Sequence, residues 1–148
     1  MAVLRNIRRA AFQALFQIDA TRATDDATLA ESVRGGAELS DSQVSRAIEL
    51  ARSAFDDRAR ADDVFALLAP DWPARRMAAV DRAVLRLAHF EMTSGRVPPK
   101  VAVNEAVELA KTFGGEKSPT FVNGLLDRVL RGMPEHAAPM ADPQQGEE

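Results

Sequence analysis

Apolar residues recur at intervals of three and four along nearly the whole of this chain, and prolines and glycines punctuate the runs. That spacing is the period of an α-helix rather than the alternation of a strand. Residue usage points the same way: 27 Ala stand against 15 Val plus Ile, and Tyr is absent, a balance that favours helix over strand. No stretch combines period-two alternation with hairpin signals. The chain has 148 residues, the length of one domain, and a domain of this size buries roughly two thirds of its unfolded surface without covalent help. The expectation is all-α: a single helical domain over residues 1–134 with about six to seven helices.

Local signals place the boundaries. A first helix is expected over residues 4–20, and a short second one over 26–33, stopped by Gly35 and Gly36 as a C-terminal cap. Ser40 with Gln43 is a capping-box pattern opening a long third segment, 41–68. Asp71-Trp72-Pro73 opens a fourth that reaches Thr93, just before Gly95. Pro98-Pro99 introduces a fifth, ending at Phe113 before Gly114-Gly115. Ser118-Pro119 starts a sixth, which ends at Gly132. The segment 135–148, with two prolines and Met140 as its one large apolar residue, reads as a disordered tail.

Composition excludes several classes of function. With no Cys and two His, disulfide frameworks, thiolate zinc sites and cysteine nucleophiles are ruled out. No apolar run approaches the roughly 20 residues of a membrane helix, and the first residues lack a signal-peptide core, so the cytoplasm is the expected compartment. Asp56-Asp57 and Asp62-Asp63 are neighbours in sequence, and neighbours on a helix point about 100° apart, so neither pair is set as an acid/base dyad. Residues 114–118, GGEKS, follow a helix and lack phosphate-loop spacing. No catalytic residue, metal or cofactor is expected.

The net charge of −3 is inconsistent with a generic nucleic-acid clamp, but the charge is uneven. Residues 1–22 carry +3, leaving −6 for the rest. On the first helix Leu4, Ile7, Ala11, Ala14, Leu15 and Ile18 form a core stripe, while Arg5, Arg9, Phe12 and Phe16 share another meridian with Arg8 beside it. Guanidinium groups and rings on one face suit single-stranded RNA, because cations track the backbone while rings stack on bases. Periodicity alone leaves both rings open to a second reading, as core. On the fourth helix Arg82, Arg86 and His89 form a basic stripe that a solvated face would explain. Asp81 projects among Met77, Val84, Leu85 and Ala88, either paired or facing a partner, and Glu91 is placed to accept from free amides of a neighbouring helix.

Residues 97–114, VPPKVAVNEAVELAKTFG, followed by FVNGLLD at 121–127, resemble the C-terminal half of the NusB transcription antitermination family. So do DRAVLRLAHFE at 81–91 and, near the N-terminus, Arg8 followed by FQALF at 12–16. A similar domain is joined to ribosomal RNA methyltransferases, but no cofactor-binding sequence accompanies this one. The resemblance implies two small helical bundles and an adaptor that, with NusE, binds the boxA element of ribosomal RNA leaders for RNA polymerase to pass terminators. It assigns RNA contacts to Arg5, Arg8, Arg9, Phe16, Lys117 and Phe121, and the NusE-facing surface to the fourth and fifth helices, Asp81 included. Phe12 is then core. Phe16 stands where the family often has Tyr, and Lys117 where it often has an acid. Asn104 and Asn123 match family positions and read as structural amides that satisfy backbone groups. A protein-only adaptor is the rival reading, and a homodimer is left open.

Overall fold

The computed structural model describes residues 2–21, 25–34 and 38–133. Gly35, Gly36 and the segment 135–148, for which a cap and a tail are expected above, lie outside the described residues. Seven α-helices are present among those described: α1 (Ala2–Thr21), α2 (Asp26–Arg34), α3 (Asp41–Asp56), α4 (Arg58–Leu68), α5 (Ala79–Ser94), α6 (Pro99–Phe113) and α7 (Ser118–Arg131), with a 3-10 turn at Ala74–Arg76. There is no strand among them.

The helix ends follow the local chemistry. Ser40 Oγ accepts from Gln43 N at 3.2 Å while Gln43 Oε1 accepts from Ser40 N at 2.8 Å, the reciprocal capping box; such a cap contributes about 1 kcal/mol. Gly95 ends α5 with φ 76°, a left-handed conformation that costs other residues a Cβ clash. Gly114 makes the turn from α6 to α7 possible sterically: a Cβ there would lie 2.6 Å from the Ser118 side chain. Ser118 is buried in this turn and its Oγ accepts from Gly115 N at 3.1 Å.

Two expected helices are broken. Segment 41–68 divides at Asp57, whose backbone N–H turns back to Ser53 O and Phe55 O. At this break Asp57 Oδ2 lies 3.5 Å from His89 Nδ1 of α5, and the neighbouring Arg58 guanidinium covers the Phe55 ring at 3.8 Å while donating to Phe55 O. Segment 71–93 divides at Met77 and Ala78, which are extended. Met77 is buried as an anchor, and Arg82 Nη1 donates to Ala74 O and Met77 O, so a guanidinium satisfies the carbonyls the break exposes.

Packing divides into an N-terminal group, α1 to α3, and a C-terminal group, α4 to α7. The most extensive contacts are α1 with α3, and α6 with both α5 and α7. Alanine rows line the first pair, at Ala10, Ala11 and Ala14 of α1 and Ala47, Ala51 and Ala54 of α3, all buried, and small side chains let helix axes approach closely. Helix α5 touches α1, α3, α4, α6 and α7, joining the two groups. From Ala83 to Met92 every residue except Phe90 is buried, so its polar side chains are interior.

This placement corrects the reading of Arg82, Arg86 and His89 as a solvated face. Arg86 is buried and donates to Asp19 of α1 at 3.1 Å and to both Asp62 oxygens of α4 at 3.0 and 2.7 Å. Arg82 takes the other Asp19 oxygen at 2.8 Å. Burial pushes the Asp19 carboxyl up, but the two guanidiniums outweigh it and hold it below the usual aspartate value. His89 is buried edge-on to the Phe65 ring, and burial lowers its pKa against the opposing pull of Asp57.

Candidate nucleic-acid interface

Helix α1 buries Ile7, Ala10, Ala11, Phe12, Ala14, Leu15 and Ile18. Leu4, Arg5, Asn6, Arg9 and Phe16 are exposed, as are Ala20 and Thr21 at its end. The Arg5 side chain is 64% exposed, and its guanidinium forks onto Glu105 of α6, Nε to Oε1 at 3.1 Å and Nη2 to Oε2 at 2.8 Å. The hydrogen bond from Arg5 holds the Glu105 carboxyl below the usual glutamate value.

Arg8 is placed differently from the expectation that it shares that open face. Its side chain is 11% exposed, Nε reaches both Glu91 oxygens at 3.1 and 3.0 Å, and Nη1 reaches Glu105 at 3.4 Å. Glu91 therefore accepts from this guanidinium rather than from free helix amides. Burial pushes the Glu91 carboxyl above the usual range, and Arg8 opposes that rise. Arg8 thus ties α1 to α5 and α6 from inside.

Arg9 lies over the Phe113 ring of α6, 5.5 Å from its centroid. Phe113 in turn packs against Phe12 at 4.9 Å, and Phe12 against Phe16 at 6.3 Å. Phe12 is core, as the resemblance implies, while Phe16 at the end of this row is 37% exposed. Arg5 meets Glu105 and Arg9 meets Phe113, so long side chains link α1 to α6 in the same order along both helices. The row of cations and rings follows their seam. Phe113 was missed in the sequence because it closes a helix, where its position marks a boundary rather than a face.

Helix α7 flanks α6 on the other side. Lys117 is exposed at its start, and Phe121, one turn on, is half-buried against the core. A shallow groove of about 640 Å³ spans these elements and is lined by Arg5 of α1, by Asn104, Glu105 and Lys111 of α6, and by Asn123 of α7. Asn104 and Asn123 are both exposed and no hydrogen bond joins either to the described residues, which corrects the view that they serve the backbone. Asp81 is apart from this groove, half-buried in the first turn of α5, with Oδ1 buried and unpartnered. Among the described residues, no group of three His, Cys, Asp or Glu is placed to hold a metal ion, and no helix is long and apolar enough to cross a membrane.

Residues 5–131 match the sequence profile of the NusB family. The chain belongs to the NusB family. It is 43% identical over 137 residues to the transcription antitermination protein NusB of Symbiobacterium thermophilum, covering 87% of this chain and 90% of that protein. The solved NusB of T. maritima superposes with a TM-score of 0.73 at 33% identity, covering 92% and 94% of the two chains. A chain from a crystal structure of the antitermination factors NusB and NusE with double-stranded RNA shares the fold, with a TM-score of 0.77 at 22% identity, covering 90% and 99%. The two-bundle helical architecture of this NusB-family chain is the one expected from its sequence.

Proposed function

We propose that this chain is an RNA-binding transcription antitermination adaptor that acts with NusE on boxA-type RNA in the RNA polymerase complex. One observation carries the RNA reading: the seam of α1 and α6 presents Arg5, Arg9 and the exposed edge of Phe16 in a row, on a chain whose net charge is −3. A general polyanion trap needs a broad positive surface, whereas a narrow row of guanidiniums and rings fits one single strand. Lys117 and Phe121 extend the contact along α7. Arg8 acts in this proposal as the brace that fixes α1 beside α6, because its guanidinium is already taken by two carboxylates. Asp81 belongs to the NusE-facing surface.

The names of the relatives support the antitermination role, and the shared fold with a NusB solved together with NusE and RNA supports the pairing. Titration of labelled boxA-type RNA with this protein, with and without NusE, at two salt concentrations tests the reading. Preference for boxA over a scrambled strand is expected, strengthened by NusE. No preference in either condition would favour a protein-only adaptor.

A further inference from the structure

Leu4 and Val101 are two of the five large hydrophobic side chains exposed among the described residues, and both line one cavity. It has a volume of about 640 Å³ and lies between the start of α1, the middle of α3 and the junction of α5 with α6, where Leu50, Val97 and Pro98 add to its apolar wall. Arg46 and Arg96 stand at its rim. Both are exposed, and neither has an ion pair among the described residues. Arg96 lies over the Phe90 ring, 5.2 Å from its centroid. The cavity therefore suits an apolar group flanked by negative charge.

The sequence contains such a segment. Residues 134–148 carry Glu135, Asp142, Glu147 and Glu148 and no Lys or Arg, so they hold −4 of the net −3 and leave +1 on residues 1–133. Met140 is their one large apolar residue, and an unbranched thioether adapts to irregular apolar space. The segment also starts near the cavity. Ser118 of α7 abuts Gly114 at the end of α6, and Asn123 shares a groove with residues 104–111, so α7 runs back along α6 and brings Arg131 level with Pro99. Met133 packs against the same core as Val97. The tail then has to cross one helix width, about 10 Å, and the seven residues from Met133 to Met140 span about 23 Å when extended. Tethering adds an effective concentration that a free partner does not have.

We infer that residues 134–148 fold back over this cavity, with Met140 among Leu4, Leu50 and Val101 and the acidic side chains on Arg46 and Arg96. Arg5 lines the same cavity, so the docked tail competes with RNA for the start of the α1 seam. The competition rests on the RNA-binding reading; the docking does not.

The chain has no Cys, so paired substitutions report the docking directly. In the full chain, Ala141→Cys is combined with Val101→Cys in the cavity, or with Leu67→Cys, an exposed position also near the end of α7, where Arg128 donates to Leu68 O. Disulfide formation is expected to be about tenfold faster with the Val101 substitution, and added RNA should slow it. Met140→Ser leaves the charge unchanged; it should abolish that preference and tighten RNA binding about threefold, the gain when a site open about one-third of the time is always open. Arg46→Ala should also tighten RNA binding although it removes a cation, and should not do so in a chain that carries Met140→Ser. Equal cross-linking at the two positions overturns the docking, whether the cavity is empty or filled by another molecule. Preferential cross-linking with unchanged RNA affinity in Met140→Ser overturns the competition alone. If the wild-type chain binds no RNA with or without NusE, the RNA reading fails, and the cross-linking still decides the docking.

Discussion

Arg5 and Arg8 stand one turn apart on α1 and meet opposite environments, so the same substitution should have opposite consequences. Arg5→Ala removes an exposed fork from Glu105, and exposed ion pairs contribute little. Its denaturant unfolding curve should overlay that of wild type, while the salt slope of RNA binding falls by about 0.7 for one lost single-strand contact. Arg8→Ala leaves the buried Glu91 without its partner, which should cost about 3–5 kcal/mol in a denaturant titration. A stable Arg8→Ala protein with weakened RNA binding would overturn the assignment of Arg8 as a brace. The rings divide likewise. Phe12→Ala empties a core position and should cost about 3–5 kcal/mol of stability, whereas Phe16→Ala should cost about 1–3 kcal/mol of RNA binding. Measuring both quantities on each variant decides, and native-like RNA affinity in a strongly destabilised Phe16→Ala would return that ring to the core. From the sequence, the core stripe and the exposure of Arg5 and Arg9 were legible because they depend on the helical period, whereas Phe16 was set apart from Phe12 only by the family resemblance, since both rings share one meridian and one of them is buried. Arg8 was not, because its burial depends on where Glu91 and Glu105 lie on other helices.

At the scale of elements the same distinction holds. Helix ends at Ser40, Gly95, Pro99 and Gly132 follow from residues within a turn of each end, and they stand where expected. The breaks at Asp57 and at Met77-Ala78 coincide with partners distant in sequence or a guanidinium folding back, and a linear pattern does not contain them. Helix α5 is the extreme case: its basic stripe looks solvated by period and is interior by packing. That burial predicts a pH dependence. His89 has its pKa lowered by burial, so just below its ordinary 6.5 the unfolded chain binds a proton that the folded chain refuses. Stability should therefore fall as pH drops below about 6.5. Glu91 acts with the opposite sign, since its carboxyl is raised and its contribution is lost as pH rises above the ordinary glutamate value. Asp19, held low by Arg82 and Arg86, adds a further loss only in more acidic solution, below the ordinary aspartate value. Comparing unfolding free energy against pH for wild type and His89→Gln isolates the histidine. The variant should show the shallower decline just below pH 6.5, and parallel curves would assign the slope to other groups.

Over the whole molecule, the basic seam and Asp81 belong to different surfaces, and this separation makes a prediction about assembly. Asp81 stands in the first turn of α5, where a negative charge is favoured by the helix dipole, yet its Oδ1 is buried without a partner. Those two effects oppose each other, so Asp81→Ala should change folding stability by less than about 1 kcal/mol. Among the described residues nothing satisfies that oxygen, and a donor on a docked protein would. Asp81→Ala should then weaken NusE association and leave the RNA affinity of the protein alone unchanged. Arg5→Ala should do the reverse, weakening RNA binding with or without NusE and leaving NusE association intact. RNA binding by Asp81→Ala should fall only when NusE is present, because the gain that NusE gives depends on the pair forming. Measuring the four affinities, each variant with NusE and with RNA alone, separates the two surfaces. If Asp81→Ala binds NusE as wild type does, the unpartnered oxygen is a feature of the isolated fold, and the NusE-facing surface must be sought on other residues of α5 and α6.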